Sequence, residues 1–259
     1  MNDHSSVHRA AANGFQAAAD VYQKSRPDYP VAVGDWLRET LGLATGKTVV
    51  DLGAGTGKFT PLLAATGARV VAVEPVAAMR AEFAAAHPAV EALAGDAEHL
   101  PLADDSVDAI VCAQSFHWFA TPAALAEMRR ALNAGGALGL VWNVRDLSVG
   151  WVAALTEIID RYAGDAPRHE SGRWRAVFPA PGFSELTERR FAHRHVGPPE
   201  RVIVERVLST SFIAALPAAE RARVADETRA LIAATPSLAG RAEVAYPYET
   251  RAYACRRLP

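Results

Sequence analysis

The sequence predicts an α/β fold, a doubly wound and mostly parallel sheet with helices on both faces. Three observations carry this reading. Between residues 47 and 144, short β-branched runs alternate with alanine-rich stretches of helical period. A glycine-rich turn follows the first of those runs, and acidic residues recur where successive runs end.

The runs place strands at 48–52, 69–74, 90–94, 107–113 and 137–143. Helices are expected between them: at 57–66, at 76–86 where His87-Pro88 closes the segment, and from Thr121-Pro122, an N-cap and first-turn pair, as far as Leu132. Asn133-Ala134-Gly135-Gly136 then turns the chain into the fifth strand. Upstream, a helix at 10–24 breaks at Arg26-Pro27-Asp28-Tyr29-Pro30, and a second follows at 31–41. Downstream, a helix at 150–163 leads into a polar loop at 164–175. Two extended runs, 184–196 and 244–256, flank helical stretches near 200–209 and 217–234.

Half the residues are apolar and 22% are charged, the balance of a soluble globular chain, and 259 residues can bury a sizeable core. A formal net charge of −2, with basic residues scattered among acids, gives no electrostatic reason to bind nucleic acid. Cys112 and Cys255 sit in apolar stretches without metal or redox spacing, so they read as buried free thiols and no metal site is expected. With no run of signal-peptide or membrane-span character, a cytoplasmic protein without a membrane partner is expected.

The strongest local signal is Val49-Val50-Asp51-Leu52-Gly53-Ala54-Gly55-Thr56-Gly57, a buried strand running into a glycine turn that opens a helix. A phosphate-cradling loop would need Gly at position 52 and a hydroxyl at 59, where the chain has Leu52 and Phe59. A dinucleotide fingerprint would need its third glycine at position 58, which is Lys58. Asp51 at the strand end would repel a pyrophosphate but attract an ammonium group, and S-adenosylmethionine has the ammonium and no phosphate. The alternative for Asp51 is a turn residue bonded to backbone N–H groups. Glu74 ends the second strand where an acid can accept both hydroxyls of a ribose, or stands there as a solvated strand-end acid. Asp96, in Gly95-Asp96-Ala97-Glu98, either accepts an adenine amino group or closes a turn.

Together these segments resemble the class I S-adenosylmethionine-dependent methyltransferases. The glycine turn is similar to the family's first motif, Ala72-Val73-Glu74-Pro75 to its second and Gly95-Asp96-Ala97-Glu98-His99-Leu100-Pro101 to its third. Asp108-Ala109-Ile110-Val111 and Leu132-Asn133-Ala134-Gly135-Gly136-Ala137-Leu138 resemble the fourth strand and the turn before the fifth. Residues 22–30 and Gln114-Ser115-Phe116-His117-Trp118-Phe119 are similar to a branch with trans-aconitate and cantharidin-type methyltransferases, which implies small-molecule acceptors, often carboxylates.

The resemblance implies a Rossmann-like sheet of seven strands with an antiparallel last strand. It divides one domain, 1–259, into a helical lid at 1–45, a cofactor-binding core at 46–145, and cover segments at 146–182 and 197–240 near the acceptor. Cofactor roles fall on Asp51, Gly53, Gly55, Glu74 and Asp96, with Tyr22, Arg26, Ala54, Thr56, Gly57, Pro75, Met79, Ala97, Glu98 and Gln114 expected around them. S-adenosyl-L-homocysteine is the implied product.

Methyl transfer from a sulfonium is an in-line displacement that needs alignment and exclusion of water, and no metal or covalent nucleophile. Residues 114–119 stand after the fourth strand, where side chains face both donor and acceptor. Trp118 and Phe116 could wall the pocket by cation–π contact or simply pack in the core. His117 is the candidate general base, its alternative being a partly buried histidine bonded to a backbone group. Tyr22, Arg26 and Tyr29 flank a rigid turn that could cover the cofactor, with Arg26 near its carboxylate; a surface arginine is the other reading. Acceptor contacts are expected from Tyr29, His117, Trp118, Arg145, Arg173 and Trp174, with Arg168 and His169 nearby. These bases suit an anionic acceptor whose oxygen needs no base, although surface pairs with Asp146 or Glu170 would account for any one of them. A quinone or phenol ring acceptor, a cofactor-binding protein without turnover, and a nicotinamide dehydrogenase remain the competing readings.

Overall fold

β1 (Thr48–Leu52) is Thr-Val-Val-Asp-Leu, a run that only a strand covered on both faces can bury. In the computed structural model, which describes residues 26–259, β1 pairs in parallel with β2 (Arg69–Val73) on one side and β4 (Val107–Ala113) on the other. β3 (Glu91–Leu93) extends the sheet beyond β2, and β5 (Leu132–Arg145) lies beside β4. β7 (Val244–Arg256) sits between β5 and β6 (Thr187–Gly197) and runs antiparallel to both. The order β3-β2-β1-β4-β5-β7-β6 is therefore a seven-stranded sheet in which β7 alone is reversed. The chain moves outward to β3 and returns beyond β1 to β4, and that reversal opens a crevice at the carboxyl ends of β1 and β4.

Alternation along the strands sorts the core into two layers. Val50, Leu52, Ile110, Cys112, Leu138 and Leu140 face one side, where Leu125 and Met128 of α4 (Pro122–Ala131) cover them. Val49, Ala109, Val111, Ala137 and Val141 face the other, against Trp36 and Leu37 of α1 (Ala32–Glu39) and Leu63 of α2 (Thr60–Ala64). α3 (Ala77–Ala86) joins β2 to β3. A third cluster unites α5 (Gly150–Asp160), the 202–213 segment and α6 (Ala218–Ala234) over Tyr246 and Tyr248 of β7. Both cysteines are free and buried. Among the described residues no helix is long and apolar enough to cross a membrane.

Departures from the expected elements have local causes. β5 begins at Leu132 rather than 137, because Asn133-Ala134-Gly135-Gly136 stays in the sheet as an irregularity in the pairing with β4. α2 starts only at Thr60, since Gly57 holds a φ of +84° that no helix continues through. Residues 200–205 form a wider π-type turn before the short α-helical turn Arg206–Leu208. The expected helix at 10–24, and with it much of the 1–45 lid, lies outside the described residues.

Thr121 caps α4 as its sequence implies: its Oγ1 accepts the Ala124 N–H at 3.1 Å and donates to Glu98 Oε1 at 2.7 Å. Thr121→Ala removes both bonds and is expected to cost about 1 kcal/mol in urea unfolding. Unchanged stability would mean that the cap contributes nothing.

Candidate active site

The crevice is built from strand ends. The Gly53 and Ala54 N–H groups donate to Val73 O at 2.8 and 3.3 Å, which binds the glycine turn to β2. Glu74, just beyond β2, accepts the Gly55 N–H on one carboxylate oxygen and the Val76 N–H on the other, both at 2.9 Å. An ionised carboxylate has about four lone-pair sites, so two stay open toward the cavity. Gly53 holds a φ of +68°, and a Cβ there would lie 2.7 Å from that of Ser115, so only glycine lets the turn approach β4 this closely.

Asp51 is 1% exposed, and its Oδ2 accepts the Thr60 hydroxyl at 2.7 Å. Burial, only partly offset by that bond and reinforced by the nearby Glu74 charge, raises its pKa from 3.8 to about 7. Burial likewise pushes Glu74 up. Two buried acids therefore share one crevice, and Arg80, whose guanidinium donates to Glu74 O at 2.8 Å, offsets only part of the cost of burying Glu74. Thr56 adds a buried hydroxyl without a partner among the described residues. Asp96 closes the turn, its Oδ1 accepting the Glu98 and His99 N–H groups at 2.9 Å, and it also lines the crevice. Beside these polar groups the walls are apolar, from Pro75, Val76, Met79, Ala97 and Phe119. An adenosyl group carrying an ammonium and a sulfonium fits such a set, and a pyrophosphate would face carboxylates.

Residues 26–30 strap one side of the crevice. Lys58 and Asp28 pair at 2.9 Å, the Asn143 amide donates to Asp28 O at 2.9 Å, and the Arg26 guanidinium donates to Ser209 O at 2.9 Å. Tyr29 meets Phe59 edge-on with centroids 4.7 Å apart.

Gln114 follows β4 with a φ of +60°, a strained value for a residue with a side chain. Arg26, Gln114 and Trp118 line both this crevice and a second, adjoining cavity. The second cavity is bounded by His117, Trp142, Arg145, Arg168, His169, Glu170 and Arg206. Arg168 pairs with Asp160 at 2.5 Å, and Arg145 reaches Glu170 at 4.0 Å. Arg206 is 7% exposed and has no acidic partner among the described residues.

His117 is held in one protonation state. The Trp142 indole N–H can only donate, and it donates to His117 Nδ1 at 3.1 Å, which leaves the proton of the neutral ring on Nε2. Burial, with the neighbouring Arg26 and His169 working against the attraction of Glu170, lowers the pKa to about 3. His117 therefore presents a donor to the second cavity, and the general-base role expected from sequence does not fit this geometry.

Of the expected cofactor residues, the structure gathers Arg26, Asp51, Gly53, Ala54, Gly55, Thr56, Glu74, Pro75, Met79, Asp96, Ala97, Glu98 and Gln114 around the crevice. Gly57 faces away from it, toward His87 and Phe83, and serves the turn alone. Tyr22 lies outside the described residues. Among the expected acceptor residues, His117, Trp118 and Arg145 line the second cavity, whereas Tyr29 belongs to the crevice. Arg173 is exposed and lines neither space, because the 3₁₀ turn Arg173–Val177 turns it outward. The same turn directs Trp174 into the core against Phe116, Trp142 and Tyr253. Phe116 is also fully buried, so packing accounts for both rings. Arg206 was not anticipated. Its signal is a cation four residues after Val202, in register with an apolar helical face.

Residues 50–140 match the family model for a methyltransferase domain. An uncharacterized methyltransferase of Mycobacterium tuberculosis is 40% identical over 236 residues, covering 91% of this chain and 92% of that one. A methyltransferase-like protein of Schizosaccharomyces pombe is 35% identical over 251 residues, covering 95% and 96%. A solved structure described as a type II methyltransferase from Anaeromyxobacter dehalogenans superposes with a TM-score of 0.62 at 26% identity, covering 90% of this chain and 99% of that one. The chain belongs to the class I S-adenosylmethionine-dependent methyltransferases. S-adenosylmethionine is its methyl donor.

A raised Asp51 pKa means that the folded protein binds this proton more tightly than the unfolded chain does. The associated stability is complete below about pH 4 and is lost as pH rises through about 7. Asp51→Asn keeps an acceptor for Thr60 and removes the buried charge. The variant is expected to melt higher than the parent at about pH 8 without ligand, and to bind S-adenosylmethionine at least roughly tenfold more weakly. Thermal unfolding and calorimetry at that pH check both, and a lower melting temperature would contradict the account.

Proposed function

We propose that the enzyme transfers the methyl group of S-adenosylmethionine to a carboxylate of a small anionic acceptor bound in the second cavity. The observation that carries this reading is the excess of cations at that cavity: Arg26, Arg145, Arg168 and Arg206 line it with the carboxylate of Glu170, while Asp160 pairs with Arg168. Resemblance of residues 22–30 and 114–119 to the trans-aconitate and cantharidin-type branch supports the same class of acceptor. A small-molecule acceptor rather than a polyanion also agrees with the net charge of −2.

Position and chemistry fit together. Because Gln114 and Trp118 border both spaces, a molecule in the second cavity abuts the crevice that holds the donor. The donor supplies a methyl on a positively charged sulfur, and its transfer makes one C–O bond as the C–S bond breaks, leaving a neutral ester and a neutral thioether. A carboxylate is ionised at neutral pH, so no proton has to be removed. His117 matches this requirement, since its Nε2–H can hydrogen-bond the acceptor and its ring stays neutral. Trp118 and the strap at 26–30 shield the meeting point from water, where opposite charges that cancel during reaction gain most from a low dielectric. A quinone or phenol acceptor would need a base, and His117 is locked in the wrong tautomer for that task.

The test is a pooled incubation of carboxylic acids, phenols and quinones with methyl-labelled donor, followed by mass analysis. Labelled methyl esters are expected; labelled ring carbons or phenol ethers without esters would overturn the assignment. Separately, His117→Asn should leave the shape of the kcat/KM profile unchanged above about pH 5, because the parent histidine is already neutral there. Loss in the variant of an acid-side limb near pH 6 to 7, where the parent's rate would fall as pH drops, would show that His117 does act as a base.

A further inference from the structure

We infer that the acceptor is anchored by a second anionic group, separate from the carboxylate that is methylated, in a buried cradle formed by Arg145, Arg206, Tyr246 and Tyr248. The identity of the methylated group rests on the reading above; the cradle itself rests on its own geometry.

The sheet assembles it. Arg145 at the end of β5 is the cross-strand partner of Tyr248 on β7, and Tyr246 lies two residues away on the same face. The two phenol rings stand 4.5 Å apart. Arg206 enters from the turn that follows the π-type segment, and its NH1 meets the Thr210 hydroxyl at 3.3 Å.

These groups are buried with few partners. Tyr246 is 0% and Tyr248 3% exposed, and their hydroxyls have at most each other, while Arg206 Nε has no hydrogen-bond partner among the described residues. Arg145 has Glu170 at 4.0 Å and the attraction of Asp160. Buried polar groups in proteins are nearly always satisfied, and the Arg206 guanidinium, with no carboxylate partner among the described residues, is the costly one. The unsatisfied Arg206 Nε is a cationic donor, and the partner that suits it is an acceptor with negative charge, to which the phenol hydroxyls can also donate. Burial pushes the Tyr246 phenol above its ordinary value, which keeps it a donor beside the two arginines. A carboxylate or a phosphoryl group has the oxygens to accept from guanidinium and phenol together.

The anchored group cannot also be the one that reacts. Lone pairs engaged by guanidinium and phenol donors make a poor nucleophile. Neither arginine and neither tyrosine of the cradle lines the donor crevice, whereas Gln114 and Trp118 border it. The acceptor is therefore an acid with at least two anionic groups, methylated once, at the end remote from the cradle.

The test compares straight-chain dicarboxylates, succinate through suberate, with monocarboxylates of matched length in the full-length enzyme. Ester formation and equilibrium binding to protein loaded with S-adenosylhomocysteine are both read. At least one diacid is expected to exceed its monoacid about tenfold in kcat/KM, mostly through KM. Arg206→Met should bring that ratio toward one without changing affinity for S-adenosylmethionine, and Tyr246→Phe, which removes only a hydroxyl, should weaken diacid binding. A matching acid with a phosphonate at one end, if it binds tighter than the diacid, identifies the anchor as phosphoryl. Equal turnover of diacids and monoacids, or diacid binding unaltered by Arg206→Met and Tyr246→Phe, overturns the cradle. If no acid is esterified, the carboxylate reading fails by itself. Diacid binding that Arg206→Met abolishes would then still establish the cradle, and absence of such binding would remove it.

Discussion

Asp51 and Glu74 stand at the tips of adjacent parallel strands, buried within one crevice, and the cost of holding that only partly compensated negative charge governs the site. The glycine turn brings β1's end against Ser115, the backbone N–H groups of Gly55 and Val76 fix Glu74, and Thr60 fixes Asp51. None of these contacts neutralises the acids, as the elevated Asp51 pKa of about 7 records. A bound sulfonium and ammonium would. Stability is in this sense traded for affinity, a common relation between binding sites and the folds that carry them.

The adjoining cavity has the opposite character. Arginines from β5, the 164–175 loop, the strap and the segment after the π-type turn converge on it, and Gln114 and Trp118 form the partition shared with the crevice. On the proposed reading, a cationic donor on one side and an anionic acceptor on the other are drawn to a common wall, and the reaction would discharge both. A neutral His117 would suit such a reaction better than a basic one, since that acceptor brings its own negative charge.

Much of the core was legible in the sequence because strands buried on both faces have to be continuous apolar runs. The ranges 48–52, 107–113 and 244–256 agree with Thr48–Leu52, Val107–Ala113 and Val244–Arg256. The acids of the crevice were legible for a related reason: their place at a strand end is fixed by the strand itself. The second cavity was legible only in part, through His117, Trp118, Arg145, Arg168 and His169, because its residues come from segments far apart in the chain. Arg173 and Trp174 share a polar loop, but a 3₁₀ turn sends one to solvent and the other to the core. The tautomer of His117 is set by Trp142, a contact across 25 positions. No local pattern encodes such a relation.

The most direct test of the central claim is the number of protons exchanged when S-adenosylmethionine binds, measured by calorimetry in buffers of differing ionisation enthalpy. If a cationic ligand relieves the buried acids, binding at about pH 6 releases nearly one proton, and the release fades by about pH 8 as Asp51 ionises in the free protein. Binding of undiminished strength with no proton release at the lower pH would contradict the account.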